Sequence, residues 1–537
     1  MLIMAMKPGH DGSIAVVENG RLLWCLESEK DTFPRYAPLT PTTLLEVAQR
    51  LDRMPDVVAL GGWAKPRTGG AIGAGYAGVS AVRRGGMRFF GAELDFFTSS
   101  HERSHLMTAV GMAPPGDEEL STVLVWEGVI GSFYLVDRNW QVVRTVPVLP
   151  HPGDRYAFLF SLADPTFPDH GQTPRTDGSG KLMALAAFAE AKDADADIEA
   201  AVDRILAAPA VNPAPKADFA DTVLYNAGVQ SKAAKTAAAL LTKRIFDMFA
   251  EVALRELPAG TPLRISGGCG LNCDWNAAWR ELGHFSSVFV PPCTSDSGSA
   301  IGTAIDALAH HGRTTPIDWS VYAGLDFVLD ARPDPGRWLD RPRDDRALAS
   351  ALAAGRIVAW VQGRWEIGPR ALGNRSLLAE PYSAATRDRL NQIKQRESYR
   401  PIAPCCREQD LAEAFHEDFP DPYMLYFRRV RSPKLAAVTH VDGSARAQSV
   451  TAAGNPPLHG LLSAFAGRTG LGVLCNTSLN HLRRGFINRM SDLVAYCEDR
   501  GIADMVVGDR WYTLLTAGHD PGSPAGGPPL PGGGHGG

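Results

Sequence analysis

One pattern, present twice, constrains this sequence more than any other. Residues 1–29 read as a strand (LIMAM), a loop (KPGHDG), a strand (SIAVVE), an Asn19-Gly20 turn and a strand (RLLWCLES). Residues 121–147 repeat the plan with TVLVW, EGVIG, SFYLVD, a turn at Arg138-Asn139 and QVVRTVPV. An Asn-Gly pair between alternating apolar runs is a strong hairpin signal. Each copy sets an acidic residue and a glycine just after a buried strand, as Asp11-Gly12 and Glu127-Gly128. Glycine lets a backbone approach a phosphate, and a carboxylate can hold a metal ion. Read as a duplication and not as two unrelated hairpins, the pattern predicts paired phosphate loops.

Two further strand–loop–helix units follow. "LRISGGCGLNCDWNAAW" (263–279) carries a double glycine, and "VFVPPCTSDSGSAIGTAIDALA" (288–308) carries Asp296 and Gly298 at the start of a helix. Glycine turns at helix N-termini are natural phosphate seats. Between the hairpin units lies "SSHERSHLMTAVG" (99–111). Ser99 and Glu102 form a capping-box pattern, so a helix starts there and His101 and His105 share one of its faces. Taken alone, that spacing suits either joint metal ligation or a pair of satisfied surface histidines.

At 537 residues the chain is too long for one core. The Pro-, Asp- and Arg-rich segment 329–345 divides an N-terminal part, 1–335, from a C-terminal part, 340–516; the Gly/Pro-rich tail 517–537 reads as disordered. The C-terminal part opens with a helix (ALASALAAG) and a strand (RIVAWVQG). Then Arg364, Arg370, Arg375, Lys394, Arg396 and Arg400 gather within "GRWEIGPRALGNRS" and "KQRESYRPIAP". These charges interleave with Gly, Pro and apolar residues and do not line an amphipathic helix, which favours an anion site over a solvated basic face. "LCNTSLN" (474–480) adds the short polar groups of Asn476, Thr477 and Ser478.

Composition excludes several functions. The net charge is −5, with no basic stripe for nucleic acid, and no apolar run is long enough to span a membrane. Eight scattered cysteines without a CxxC, and an N-terminus unlike a signal peptide, suit a reduced, cytoplasmic protein.

Taken together, these stretches resemble the O-carbamoyltransferases of the nodulation-protein and antibiotic-tailoring type. The resemblance rests on "GHDGSIAVVENG", "HERSH", "GKLMALA", "SGGCGLN", "PPCTSDSGSAIG", "GRWEIGPRALGNRS", "KQRESYRPIAP" and "CNTSLN", in the family's order. "EKDTFPRY", "LTPTT" and "PDVVALGGW" are similar to the 3-hydroxymethylcephem carbamoyltransferases of cephamycin pathways. The resemblance implies an α/β protein with an actin-like (Kae1-like) duplicated domain followed by a YrdC-like domain. It implies that the second domain forms carbamoyl-adenylate from carbamoyl phosphate and ATP, and that the first passes the carbamoyl group to a hydroxyl of a small natural product.

The same resemblance implies the site residues. His10 and Asp11 are the catalytic pair, and His101, His105, Glu127 and Asp296 hold a metal ion, iron in family members, with Mg possible beside ATP. Glu127 departs from the Asp usual in the family. Gly12, Gly128, Gly267, Gly268, Asn272 and Gly298 are the expected nucleotide contacts. Arg370, Arg375, Lys394, Arg400, Asn476 and Ser478 are the expected carbamoyl phosphate ligands, with Arg364 and Arg396 behind them. Lys181 reads as either a phosphate contact or a surface lysine, and segment 63–98 as a wall of the acceptor pocket. Three other readings compete: a small-molecule kinase of the actin-like superfamily, a threonylcarbamoyl-type tRNA modifier and a non-catalytic binding module. A different natural-product or sugar hydroxyl is the alternative acceptor.

Overall fold

The structure, a computed structural model, describes residues 1–64 and 70–515. The 517–537 tail and a few residues of segment 63–98 lie outside the described residues. Two sheets built to one plan form the first part. In the first, Arg21–Glu27, Ser13–Glu18, Leu2–Lys7, Val57–Gly61 and Ala92–Ser99 lie side by side, with Val82–Phe89 on the outer edge. In the second, the order is Val142–Pro147, Gly131–Asp137, Leu120–Trp126, Leu263–Ser266 and Val288–Phe289. Both begin with three antiparallel strands and continue parallel through the fourth and fifth. The paired hairpins of the sequence are therefore the first three strands of two matching units. Parallel strands bury both faces, which explains their unbroken apolar runs.

The two units meet through helices His101–Gly111 and Ser299–His310. The contact is close: a Cβ on Gly302 would lie 1.9 Å from the Ser104 carbonyl oxygen. Across the same interface Arg103 grips the Asp306 carboxylate with two bonds of 2.7 and 2.8 Å. Helix His101–Gly111 is buried on nearly every side, so it carries no polar face. Its cap differs from the expected one. Ser100, not Ser99, accepts the Arg103 N–H at 3.0 Å, while Glu102 accepts from the Gly78 N–H and the Tyr134 hydroxyl. The tertiary partners outcompete the local capping box.

The C-terminal part is a mixed eight-stranded sheet, in the order Trp338–Pro342, Arg510–Leu514, Asp504–Val507, Val358–Val361, Arg375–Ala379, Val473–Ser478, Ala403–Arg407 and Gln448–Val450. Trp338–Pro342 comes from the segment read as a linker; it pairs with Arg510–Leu514. Alternate residues of Val358–Val361 serve two cores. Val358 and Trp360 pack with helices Asp345–Ala353 and Pro456–Thr469, and Ala359 and Val361 face the other side. All eight cysteines are free and buried. Among the described residues, no helix is long and apolar enough to cross a membrane.

A buried ion pair ties the two parts together. Lys30 Nζ lies 3.4 Å from the Glu27 carboxylate and donates to the Gly368 carbonyl at 2.7 Å, while the Gly368 N–H donates to Glu27 at 3.1 Å. Gly368 (φ +86°) leaves no room for a side chain, because a Cβ would sit 2.2 Å from the Pro292 carbonyl oxygen. The loop that carries Arg370 is thus wedged against the loop that carries Asp296.

Candidate active site

The two histidines of "SSHERSHLMTAVG" meet Asp296 at the seam between the two units. His105 Nε2 lies 3.2 Å from both His101 Nε2 and Asp296 Oδ1, and His101 Nε2 lies 3.5 Å from the same oxygen. All three are buried, with one donor atom each inside a 4.8 Å span. His105 Nδ1 is turned to the Ser266 hydroxyl at 3.0 Å, which leaves Nε2 for the centre. Burial pushes the His101 imidazole down to about 4, against the opposing pull of Asp296, so it is neutral near pH 7. Burial alone would raise the Asp296 carboxyl, but Lys7 and the two histidines hold it well below the usual range. Two imidazoles beside a carboxylate are a chelating set for a divalent ion.

Glu127 stands beside this trio, not in it. Its oxygens accept from the Tyr76 hydroxyl at 3.0 and 3.1 Å and from the Ile130 N–H at 2.7 Å. Burial, with Asp296 nearby, pushes its carboxyl up to about 7. Next to it in the chain, Trp126 stacks between Trp275 and Phe249, so the base of this loop is rigid. Among the described residues, the cluster that can hold a metal is His101, His105 and Asp296. Asp296→Asn and His105→Ala are expected to lower divalent-metal affinity by more than the ~10–100-fold that loss of an outer partner costs. Glu127→Gln is expected to keep the ion. Elemental analysis of the purified variants checks both.

His10 closes the other side of this site. Its Nδ1 lies 2.9 Å from Asp11 Oδ2 and 3.7 Å from Asp296 Oδ2, and the ring stays 52% exposed. Asp11 holds a left-handed backbone (φ +53°), strain of a kind that concentrates at working sites. Trp63 meets His10 edge-on at 4.5 Å, and its ring also faces Tyr76 and His101. Lys7, fully buried, reaches Asp296 Oδ2 at 3.1 Å over the face of Trp63. Lys7 and Tyr76 carried no local sequence signal. Trp63 and Tyr76 come from the segment expected to wall the acceptor pocket.

The expected nucleotide contacts separate. Gly12, Gly267 and Gly298 are required by the fold, since a Cβ there would lie 2.4, 2.3 and 1.9 Å from the Leu39 nitrogen and the Trp126 and Cys293 carbonyl oxygens. Gly128 packs against Asp154, and Gly268 faces open space. Asn272 caps helix Cys273–Glu281 through its oxygen, and its Nδ2 is buried without a partner. Asp274 sits in the first turn of that helix, its carboxyl pushed up to about 7 by burial and then by Asp442. A raised carboxyl favours the folded state most below its unfolded value and loses that contribution as pH rises through the folded one. Asp274→Asn should therefore gain melting temperature over the parent, the gap opening between about pH 4 and 7 and holding above it.

In the C-terminal part the basic residues also divide. Arg370, Arg396, Arg400 and Arg446 crowd together with Lys394. Burial and then Arg446 push Arg370 down to about 9, burial and then Arg400 push Arg396 to about 9, and Lys394 falls well below its usual range, chiefly through burial. Arg370 spends one nitrogen on the Leu271 carbonyl at 2.9 Å, and its Nε has no partner. Arg446 Nε is likewise unpartnered, and Arg400 has a long 3.9 Å ion pair to Glu397. Self-repelling, half-satisfied guanidinium groups of this kind are what an anion would neutralise.

Other expected ligands are already committed. Every N–H of the Arg375 guanidinium is bonded, to the carbonyls of Gln362, Gly363 and Asn374 and to Asn488, so it builds the loop and has no donor left for phosphate. Lys394 donates to the carbonyls of Ser478 and Asn480 and to the Asn480 side chain, leaving its charge but no free proton. Ser478 donates to Asn480, and Asn476 donates to Ala371 and Gln448, which leaves its Oδ1 buried without a partner. Arg364 binds carbonyls of Leu23, Ala323 and Gly324 and braces the two parts, and Arg396 holds Asn391 and Pro401. Lys181 pairs with Glu397 at 3.0 Å and with Asp177 at 3.6 Å, so it too is engaged. Arg446 is the member of this basic cluster that sequence reasoning missed; its "SARAQS" setting gives no cue.

Comparison with known proteins decides the family. The model described as Carbamoyltransferase N-terminus matches residues 90–305, and that described as Carbamoyltransferase C-terminus matches 349–513. A 3'-hydroxymethylcephem-O-carbamoyltransferase of Streptomyces clavuligerus is 64% identical over 96% of this chain and 99% of its own length. The chain belongs to the carbamoyltransferase family. A Nodulation protein U of Rhizobium tropici is 33% identical over 93% of each chain. Among solved structures, the activator of a 2-hydroxyisocaproyl-CoA dehydratase from Clostridium difficile aligns over 58% of this carbamoyltransferase and 96% of its own chain, at 14% identity and a TM-score of 0.35. That likeness is loose, and the duplicated fold rests on the strand order above.

Proposed function

We propose that the protein is an ATP-dependent O-carbamoyltransferase whose acceptor is the 3'-hydroxymethyl group of a cephem. The observation that carries this reading is the 64% identity, over nearly the full length of both chains, to a protein named for that reaction. The chemistry runs in two stages. In the C-terminal part, residues 340–516, which we read as YrdC-like, carbamoyl phosphate and water give carbamate and phosphate. A carbamate oxygen then attacks the α-phosphorus of ATP, forming carbamoyl-adenylate and releasing pyrophosphate. Arg370, Arg400 and Arg446 take the anionic oxygens, and Lys394 adds positive potential. The unpartnered Asn476 Oδ1 suits the carbamoyl NH2 as an acceptor.

Transfer then takes place in the N-terminal part, residues 1–335. Asp11 holds the His10 ring through Nδ1, so Nε2 is left to take the acceptor's hydroxyl proton. The hydroxyl oxygen bonds to the carbamoyl carbon, and AMP leaves. His101, His105 and Asp296 would hold a divalent metal, iron by resemblance, which when bound supplies positive charge to an adenylate phosphate. The unpartnered Asn272 Nδ2 and the open face at Gly268 offer room for the nucleotide. Trp63 and Tyr76 bound the space in front of His10 and give a flat apolar wall to a bicyclic acceptor.

The test is an acceptor screen with carbamoyl phosphate and ATP, read by the mass gain of one carbamoyl group. A 3-hydroxymethyl cephem is expected to be carbamoylated in preference to sugars and other alcohols, with AMP as coproduct. ADP as the product would mark a kinase instead.

A further inference from the structure

Resting on that reading, we propose that Lys7 is a positioning residue of the transfer site, one that reserves the second oxygen of Asp296 and so limits how tightly the metal ion is held. Lys7 ends strand Leu2–Lys7, and its Cα partner Ser13 opens the next strand, so the two flank the loop that carries His10 and Asp11. Side chains alternate along a strand, which puts Lys7 on the face of Ile3 and Ala5. Those two pack in one core with Leu106, Ile301 and Ile305 of helices His101–Gly111 and Ser299–His310. An ammonium group therefore ends an apolar row directed at the seam between the helices, and it is fully buried there.

A buried charge needs partners. Lys7 Nζ lies 3.1 Å from Asp296 Oδ2, donates to the His10 carbonyl and stands 4.2 Å from the centre of the Trp63 ring. These partners match the three protons of an ammonium. The Asp296 carboxylate is thereby divided. Oδ1 faces His105 at 3.2 Å and His101 at 3.5 Å, while Oδ2 faces Lys7 and, at 3.7 Å, His10 Nδ1. An ion held by the two histidines is offered Oδ1, and Oδ2 is already taken. The lysine charge also opposes the ion, because like charges repel strongly in a dry seam. Reserving Oδ2 leaves more of the ion's coordination to an adenylate phosphate. The bond to the His10 carbonyl ties the same cation to the catalytic loop. Gly9 of that loop is pressed on Trp63, where a Cβ would lie 2.7 Å from the ring. One buried cation thus sets the spacing of metal ligand, base and acceptor wall.

Mn2+ is the probe, titrated by calorimetry into the chelator-treated full-length protein and its Lys7→Gln and Lys7→Met variants, with thermal melts to verify folding. Lys7→Gln keeps a donor and removes the charge. Both variants should bind Mn2+ about tenfold more tightly or better, because a like charge has gone and Oδ2 is released. Carbamoylation should fall by about tenfold or more as the His10 loop loses its anchor, while pyrophosphate exchange stays at the parental rate. The sign is the decisive readout, since loss of an outer partner that merely supports a ligand weakens metal binding by ~10–100-fold. Parental or weaker Mn2+ binding by a folded variant, or parental carbamoylation, overturns the assignment and leaves the proposed function standing. A crystal structure of the Mn2+-loaded parent gives the answer even where neither variant folds. Asp296 should reach the ion through the oxygen turned to the histidines, with Lys7 on the other; chelation through both oxygens overturns the assignment. A parent that binds no Mn2+ overturns it too and removes the metal from the proposed function.

Discussion

Replacing His10 with asparagine should reduce carbamoylation of the acceptor by roughly 10²–10⁴-fold, the range general-base catalysis supplies, while carbamoyl-phosphate-dependent ATP–pyrophosphate exchange continues. Asparagine can keep the bond to Asp11 but cannot take a proton. The two measurements separate because His10 is placed at the His101–His105–Asp296 seam, whereas Arg370, Arg400 and Arg446 belong to the basic cluster of the C-terminal part. The exposed ring matters here. Lys7, Asp296 and the two buried histidines are locked in mutual contacts, but His10 keeps an open edge toward the space bounded by Trp63. Transfer near the parental rate in His10→Asn would remove the base from this residue. Loss of exchange together with transfer would mean that the two sites do not act in sequence.

How far the sequence revealed this site depends on the kind of signal each residue carries. The paired hairpins were legible because a buried strand and an Asn-Gly turn are local, and two local matches predict a shared plan. From their spacing alone His101 and His105 were legible as a pair but not as a site, and the family resemblance supplied the carboxylates. Their partner Asp296 lies far along the chain, and only the packing of helix His101–Gly111 on Ser299–His310 brings the loops together. Glu127 was expected among the ligands because the family resemblance places one in the second hairpin loop. Its longer side chain instead meets Tyr76, from an insertion that the duplicated plan does not predict. Lys7, Tyr76 and Arg446 were illegible for one reason: each is a single polar residue whose meaning lies in a neighbour remote in sequence. The arginine-rich motifs show a different limit. Sequence counts donors, but it cannot show where a folded chain spends them.

That limit yields the second large effect, a contrast between two arginines five residues apart. Arg370→Ala should cut pyrophosphate exchange by 10²-fold or more, about the loss seen when a donor to developing charge is removed, with little change in the melting temperature. Its guanidinium holds one carbonyl, and its Nε is buried without a partner. Arg375→Ala should lose activity by another route. That side chain is fully buried and holds the carbonyls of residues 362, 363 and 374 together with Asn488. Glu366 anchors the same loop by accepting the N–H groups of Leu372, Asn374 and Arg375. Truncation would leave the carbonyls of residues 362, 363 and 374 and the Asn488 side chain without their donors at once, at a cost of about 1–3 kcal/mol for each group left unsatisfied. Thermal melts beside exchange rates decide the matter. A stable Arg375→Ala protein that fails only in exchange would return Arg375 to the ligand set and show that its five donors rearrange when substrate enters. An unstable one would confirm that "GPRALGNRS" contains both a ligand and the scaffold that aims it.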